Sequence, residues 1–567
     1  MTGHHTSNRW AATRIAVVCV FWCASTLCGA AAANASPITD DMRRQDPRLE
    51  RPVTVSGYRL YVGELLDRWS RETGVSATAS DRDGAASDRL SLSLQHIPLA
   101  DAMNAVRSLF SYQDGLYQWE RDKDPQHPSL WTYRLVRTPL ARAFPQSIRQ
   151  GIDRDFSHEI QDKIAAAREP AQDGGDAGGA DPSAEESHRD RAAMRALGSL
   201  LTPEQLSDIM EGRQDVRIPE SQFGDSGAAF IASEQAVFQR HNPRLSWPAP
   251  TALIVKKHYV DGEIAPDLTV YVEQTYQGAG GTPLTMASGN GWAGGYPLER
   301  TWQSRLTDLW RIVPEERSVP GFAGTPLAPL PQQGRHAGGT GPGGGSVLYE
   351  RLLTLSRRAK VSFVARVPAM FRSDPGPPSE TINAYTDRLR KAGLDTKWSC
   401  GIFAITSHAW IRDEPEERRI PWTLIRRFRA TAAGNPRHVL SFDDLCAAAA
   451  ELSQAQLQQL CDPAQWQMDR WDNMRDVLEW QPALSSLARN GLLPAAKSTD
   501  GAPLSALSQE ARNLLVDRPQ PGDRLRIVIE DTLVTMRVES GSGQVRSTHS
   551  FVLQPWPLPD GAETAVR

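Results

Sequence analysis

Apolar positions along this chain fall into two periods, and the order in which the periods alternate occurs twice. Val62, Leu65, Leu66 and Trp69 stand at i, i+3, i+4 and i+7, which predicts one buried helix face. Gly74 follows where a left-handed residue ends a helix. Residues 75–79 read as a short strand and 81–88 as a polar turn. Leu90, Leu92 and Leu94 then alternate with Ser91, Ser93 and Gln95, predicting a strand with one buried face. Pro98 opens a second helix, with a stripe at Leu99, Ala102, Met103, Val106 and Phe110. Residues 116–119 and 130–136 form a closing hairpin, and 53–60 a leading strand.

The second occurrence starts at Val347. Leu348, Leu352, Leu355 and Ala359 make the first stripe, 361–365 a strand, and Ile382, Tyr385, Leu389 and Ala392 the second stripe. Gly393 ends that helix, and 398–406 supplies one strand, or two with a turn near Gly401. Residues 69–79 (W-S-R-E-T-G-V-S-A-T-A) and 355–365 (L-S-R-R-A-K-V-S-F-V-A) share five of eleven positions without a gap. Further on, L-T-P-E-Q-L at 201–206 resembles L-S-Q-A-Q-L at 452–457. The two matches differ in offset by 35 residues, and the Gly-, Asp-, Ala- and Glu-rich insert 169–190 accounts for most of that. Each helical stretch is followed by β segments: 253–259 with 268–272, and 525–530 with 533–538 and a last strand near Phe551.

The pattern predicts an α+β fold of two similar halves, each a small α/β module followed by a helical region and an antiparallel β hairpin or sheet. The expected divisions are a signal peptide at 1–35, module A at 51–145, a helical and β region at 146–330, and a Gly-rich linker at 331–346. Module B at 347–412, a second helical region at 413–518 and a C-terminal β region at 519–557 follow. Residues 334–346 hold seven glycines and read as a flexible joint between halves with separate cores.

The first segment changes the picture of where the chain works. Arg9 and Arg14 precede an apolar run at 15–27, and Ala33-Asn34-Ala35 is a small-x-small cleavage site. This predicts Sec export, to the periplasm or cell surface, with a mature chain from Ser36. The rival reading is an uncleaved anchor, since residues 15–33 are just long enough to span a bilayer. Elsewhere no segment reads as a membrane span. Net charge is −4 with 40% hydrophobic and 23% charged residues, which suits globular packing and gives no sign of nucleic-acid binding.

Three of six cysteines lie in the signal. In an oxidising compartment Cys446 and Cys461, on successive helical stretches, are the candidate disulfide pair; the other reading is a free, buried thiol. Trp292 lies within, and Tyr296 directly after, a Gly-rich segment at 278–295, read as a mobile hairpin tip whose aromatics offer a binding surface unless they pack beneath it. Asp81, Asp83 and Asp88 stop short of a calcium loop and read as a turn. Cys400 with His408 lacks an orienting partner. His438 with Asp443 and Asp444 reads as a helix start capped by Ser441. Glu315-Glu316 and Glu416-Glu417 abut arginines and read as solvated faces. No metal, nucleotide or hydrolase motif occurs, so no catalytic residue, cofactor or metal is assigned.

The module at 53–136 resembles the short domain at the N-termini of secretins and TonB-dependent receptors, and residues 347–406 resemble it more faintly. The carrying residues are Leu65-Leu66-Asp67-Arg68-Trp69, Gly74-Val75, Leu90-Ser91-Leu92-Ser93-Leu94, Pro98-Leu99-Ala100-Asp101-Ala102-Met103 and Leu109-Phe110. The resemblance implies two helices packed against small sheets, and protein–protein contacts in the bacterial envelope. No run of β-barrel strands follows the modules. The functional expectation is an exported, non-catalytic interaction or scaffold protein with an envelope protein partner. The alternatives are an accessory part of a secretion or receptor assembly, and a hydrolase of unrecognised family.

Overall fold

A computed structural model describes residues 37–112, 115–168, 193–241, 243, 247, 249–259, 264–277, 283–292, 296–311, 344–367, 382–413, 419–461 and 473–555. The signal segment, the insert 169–190, both Glu-Glu pairs and most of the Gly-rich linker lie outside them.

The chain begins with α1 (Asp40–Gln45), β1 (Pro52–Tyr61), α2 (Val62–Thr73), β2 (Ser76–Ala79), β3 (Arg89–Pro98), α3 (Leu99–Phe110), β4 (Tyr117–Lys123) and β5 (Trp131–Arg137). Next come α4 (Pro139–Arg168), α5 (Pro203–Met210), β6 (Val216–Pro219), α6 (Gly224–His241), β7 (Pro250–Tyr259), β8 (Pro266–Gln277), β9 (Pro283–Trp292) and α7 (Tyr296–Arg311). The second half brings α8 (Gly344–Ala359), β10 (Phe363–Arg366), α9 (Ile382–Lys391), β11 (Leu394–Ser399) and β12 (Ile402–Ser407). It ends with helices α10 (Trp422–Gly434), α11 (Phe442–Glu451), α12 (Gln454–Cys461), α13 (Asn473–Glu479), α14 (Gln481–Arg489) and α15 (Leu493–Lys497), then β13 (Ala502–Pro503), α16 (Gln509–Leu515), β14 (Arg524–Glu530), β15 (Leu533–Glu539) and β16 (Val545–Val552). The fold class is α+β. The chain divides into two units: one from Met1–Arg142, Trp310–Thr406 and Glu414–Arg567, the other from Ala143–Leu309 and Ser407–Asp413.

In the first unit, the elements of module A form where the periodicity places them. Leu65, Leu66 and Trp69 of α2 are buried, and Gly74, at φ 71°, closes the helix by donating its N–H to the Ser70 carbonyl. A side chain at Gly63 would collide with the Trp422 ring of α10, so the bare backbone there permits close packing of the two helices. β2 runs parallel to β5, and β5 antiparallel to β4, in the order β2-β5-β4. Module B repeats that arrangement: β10 runs parallel to β12, in the order β10-β12-β11.

The modules are not separate, which corrects the expectation of two halves with private cores. β3 of module A pairs antiparallel with β10 of module B, giving one five-stranded sheet in the order β1-β3-β10-β12-β11. The alternation in β3 predicted one buried face, which Leu90, Leu92 and Leu94 form, and part of the polar face is buried as well. Ser93 is buried and accepts a hydrogen bond from Ser356 of α8 at 2.9 Å; Gln95 donates from its backbone to Ser362 at 3.0 Å and from its side chain to Ser356 at 2.9 Å. Polar residues on that face therefore satisfy one another instead of facing water. The C-terminal helices and the β13–β16 meander enclose a further core in this unit that includes Phe428, Leu445, Leu484, Leu515, Ile527 and Met536.

The second unit holds an antiparallel sheet in the order β6-β7-β8-β9. Ile152, Phe156, Ile160 and Ile164 form a buried stripe at every fourth residue of α4. The unit has the element order of the C-terminal meander: a short strand (β6 or β13), a 3-10 turn (Glu220–Gln222 or Leu504–Ala506), a helix (α6 or α16), then three consecutive strands. The Gly-rich segment expected as a mobile tip contains β9, ladder-paired with β8 from Pro283 to Trp292. The match between 201–206 and 452–457 has a local cause. Thr202 with Gln205, and Ser453 with Gln456, each form a reciprocal capping box at a helix start.

Candidate functional site

A group of buried charge in the first unit surrounds Asp88. A 3-10 turn at Ala85–Ser87 delivers it to the start of β3 with a fully buried carboxylate. Tyr117 of β4 donates its hydroxyl to Oδ2 at 2.6 Å. The Arg419 guanidinium binds Oδ1 closely, and Arg366 Nη2 of β10 stands 3.5 Å from the same oxygen. Arg137 of β5 donates to the Asp83 carbonyl at 3.1 Å, and its charge also acts on Asp88. Beside the carboxylate, Ser87 accepts the Trp422 N–H at 2.9 Å and the Asp88 carbonyl accepts the Val62 N–H at 2.8 Å.

Burial opposes ionisation of Asp88. The charges of Arg419, Arg137 and Arg366 and the Tyr117 hydrogen bond outweigh it and hold the carboxyl below its usual range. Burial pushes the Tyr117 hydroxyl upward. An ionised carboxylate enclosed by guanidinium groups neither accepts nor releases a proton near neutral pH. The chemistry available to this cluster is therefore structural: it ties module A, module B and the segment entering α10 to one point.

A second buried group, Lys397 of β11, donates to the carbonyls of Trp310 at 2.8 Å and Ser108 at 3.4 Å. Burial first, then the nearby Arg107 charge, bring its pKa down to about 7. Among the described residues no group of three His, Cys, Asp or Glu side chains is placed to hold a metal ion.

The residues singled out from sequence have separate local settings. Cys446 is a free thiol in the C-terminal core, where burial raises its pKa; Cys461 ends α12, with its side chain outside the described residues. Trp292 ends β9 and Tyr296 opens α7, and their side chains likewise lie outside the described residues. Cys400 (φ 54°) and Gly401 (φ 77°) form the two-residue turn between β11 and β12, a geometric role. His408 is buried in the second unit, 3.3 Å from the Thr307 hydroxyl. Ser441 and Asp444 form the reciprocal cap of α11, and Asp443 pairs with Lys497. Asp83 accepts the Ala85 and Arg137 N–H groups, the bonding of a structured turn.

The sequence places Asp88 at the end of a polar turn, and its burial is not legible there because its partners are 29 to 331 residues away along the chain. The local hint was an Asp directly before the Leu90 alternation. No family model, curated protein or solved structure matches the chain. No helix among the described residues is long and apolar enough to cross a membrane.

Proposed function

We propose that this chain is an exported, non-catalytic interaction protein of the bacterial envelope, in which a strand edge of the C-terminal sheet receives a protein partner. The observation that carries the reading is the contrast among strand edges. At β2 the Ser70 hydroxyl accepts the Ala77 N–H and donates to its carbonyl. At β1, Glu72 accepts the Thr54 N–H. β4 ends in Glu120, Arg121, Asp122 and Lys123, charges that discourage pairing. β16 is the outer strand of its sheet, with Thr548 and Ser550 exposed and a single formal charge, Arg546, already joined to Asp523. Val545 and Val552 beside them are 50% and 48% exposed. Such an edge suits addition of an extended strand. The signal segment and the likeness of module A to envelope docking domains support the same reading, as does the structural role of the Asp88 cluster.

The test is a photo-crosslinking residue at Thr548 of the full chain in the producing cell, with Asp500 as an exposed control. The expected result is a discrete adduct from Thr548, absent at Asp500, on a mature chain that starts near Ser36. Equal labelling at both positions, or none at Thr548, removes the reading.

A further inference from the structure

We propose that Lys397 makes the contact between α3 and the five-stranded sheet respond to pH. The residue is 6% exposed, and its ammonium is held by two main-chain carbonyls and by the Trp310 ring, whose centre lies 4.1 Å away. Carbonyls and an indole face stabilise a cation less than a hydrogen-bonded carboxylate does. The charged groups on this side come from three elements. Arg107, in the last turn of α3, carries a like charge. Asp395 lies two residues earlier on the same side of β11, by the alternation of a strand. Arg366, on β10 across β12, is drawn to Asp88. The neighbours on β12 are Ala404 and Thr406, which do not titrate, and α7 presents Trp310.

The amine thus couples proton uptake to packing at Ser108 and Arg107, where α3 ends. Its folded-state pKa lies below the ordinary 10.5. Below about pH 7 both the folded and the unfolded chain hold the proton, and the folded state bears a constant cost. Above that, the folded amine is neutral while the unfolded one is still charged, so the cost shrinks with rising pH. This group therefore adds stability progressively between about 7 and 10.5.

Urea unfolding of the full chain and of Lys397→Met across pH 6 to 10 tests this. The methionine variant should be the more stable below pH 7. Its advantage should then close by roughly tenfold in the folding equilibrium constant per pH unit. A gap that stays constant with pH, or a variant less stable at pH 6, overturns the proposal. A second measurement needs no variant. With 13C-labelled lysine, one Cε resonance of the wild-type protein should titrate near 7, well apart from the others. If every lysine titrates near its ordinary value, the proposal fails.

Discussion

The sheets β2-β5-β4 and β10-β12-β11 are built alike and finished differently. In each, a helix leads into a first strand that runs parallel to the last, and a second helix leads into a hairpin. What differs is the cover on the outer edge of the first strand. β2 is closed by a hydroxyl of its own preceding helix, Ser70. β10 is closed by β3 of the other module. The β2 edge is therefore closed within module A, whereas β10 and β3 close each other across the two modules. Sequence similarity between two stretches does not establish that each folds alone, because autonomy depends on how edges are satisfied.

The largest expected effect follows from that mutual closure. Cutting the chain within residues 334–343 should give two fragments that purify as a complex. The fragment that begins at module B should alone lack the melting transition of β10, β11 and β12, because β10 then loses β3, and keep only that of the C-terminal core. Calorimetry of the separate and mixed fragments checks this. A module B transition in the lone fragment, unchanged from the mixture, would show that the shared sheet is dispensable.

Asp88→Asn comes next. The substitution keeps the shape and removes the charge that faces Arg419, Arg366 and Arg137, joining both modules at one point. Breaking a buried pair in this way costs on the order of 3–5 kcal/mol, measurable as a fall in the urea midpoint. The pH profile gives an independent sign. Because the folded carboxyl titrates below its unfolded value, its contribution is present above the ordinary Asp range and lost as pH falls through the folded value. The Asn variant should show a flatter acid limb than the wild type.

Much of the local architecture was legible because it is set by near neighbours. The stripe of α2, the left-handed Gly74, the capping box of α11 and the β14–β15 pairing all follow from residues within a few positions of one another. What was not legible depends on remote partners. The alternation at Ser91, Ser93 and Gln95 pointed to one buried face, formed by the leucines between them, and only α8 and Ser362 show that Ser93 on the other face is enclosed too. The same limit hid the Asp88 cluster, where a carboxylate in a polar loop met arginines from β5, from β10 and from the approach to α10. The Gly-rich segment around β9 was misread for a different reason: glycine lowers strand propensity, but pairing with β8 from Leu268 to Gln277 overrides it.

The two equivalent serines sharpen the comparison at smaller scale. Ser70 and Ser356 occupy the same place in the matching stretches, yet Ser70 satisfies the backbone of Ala77 while Ser356 meets side chains of β3. Ser70→Ala strands a buried backbone N–H and should cost about 1–3 kcal/mol. Ser356→Ala leaves the β3–β10 ladder in place and should cost about 0.5–1.5 kcal/mol. Equal losses in paired denaturation curves would mean that the two edges are closed in the same way after all.

The smallest effect concerns the residue after each first helix. Gly74 has φ 71° and its counterpart Lys360 has φ 52°, so both stand in the left-handed region where a side chain is penalised. Glycine bears that geometry without steric cost but has more freedom to lose on folding. In Lys360→Gly the relief of about 1–2 kcal/mol exceeds the added entropy cost of about 0.5–1 kcal/mol. Module B should therefore gain a fraction of a kcal/mol, while Gly74→Ala in module A should lose about 1 kcal/mol. The two substitutions carry opposite signs at equivalent sites, so one pair of melting curves separates a shared backbone geometry from a chance likeness of eleven residues.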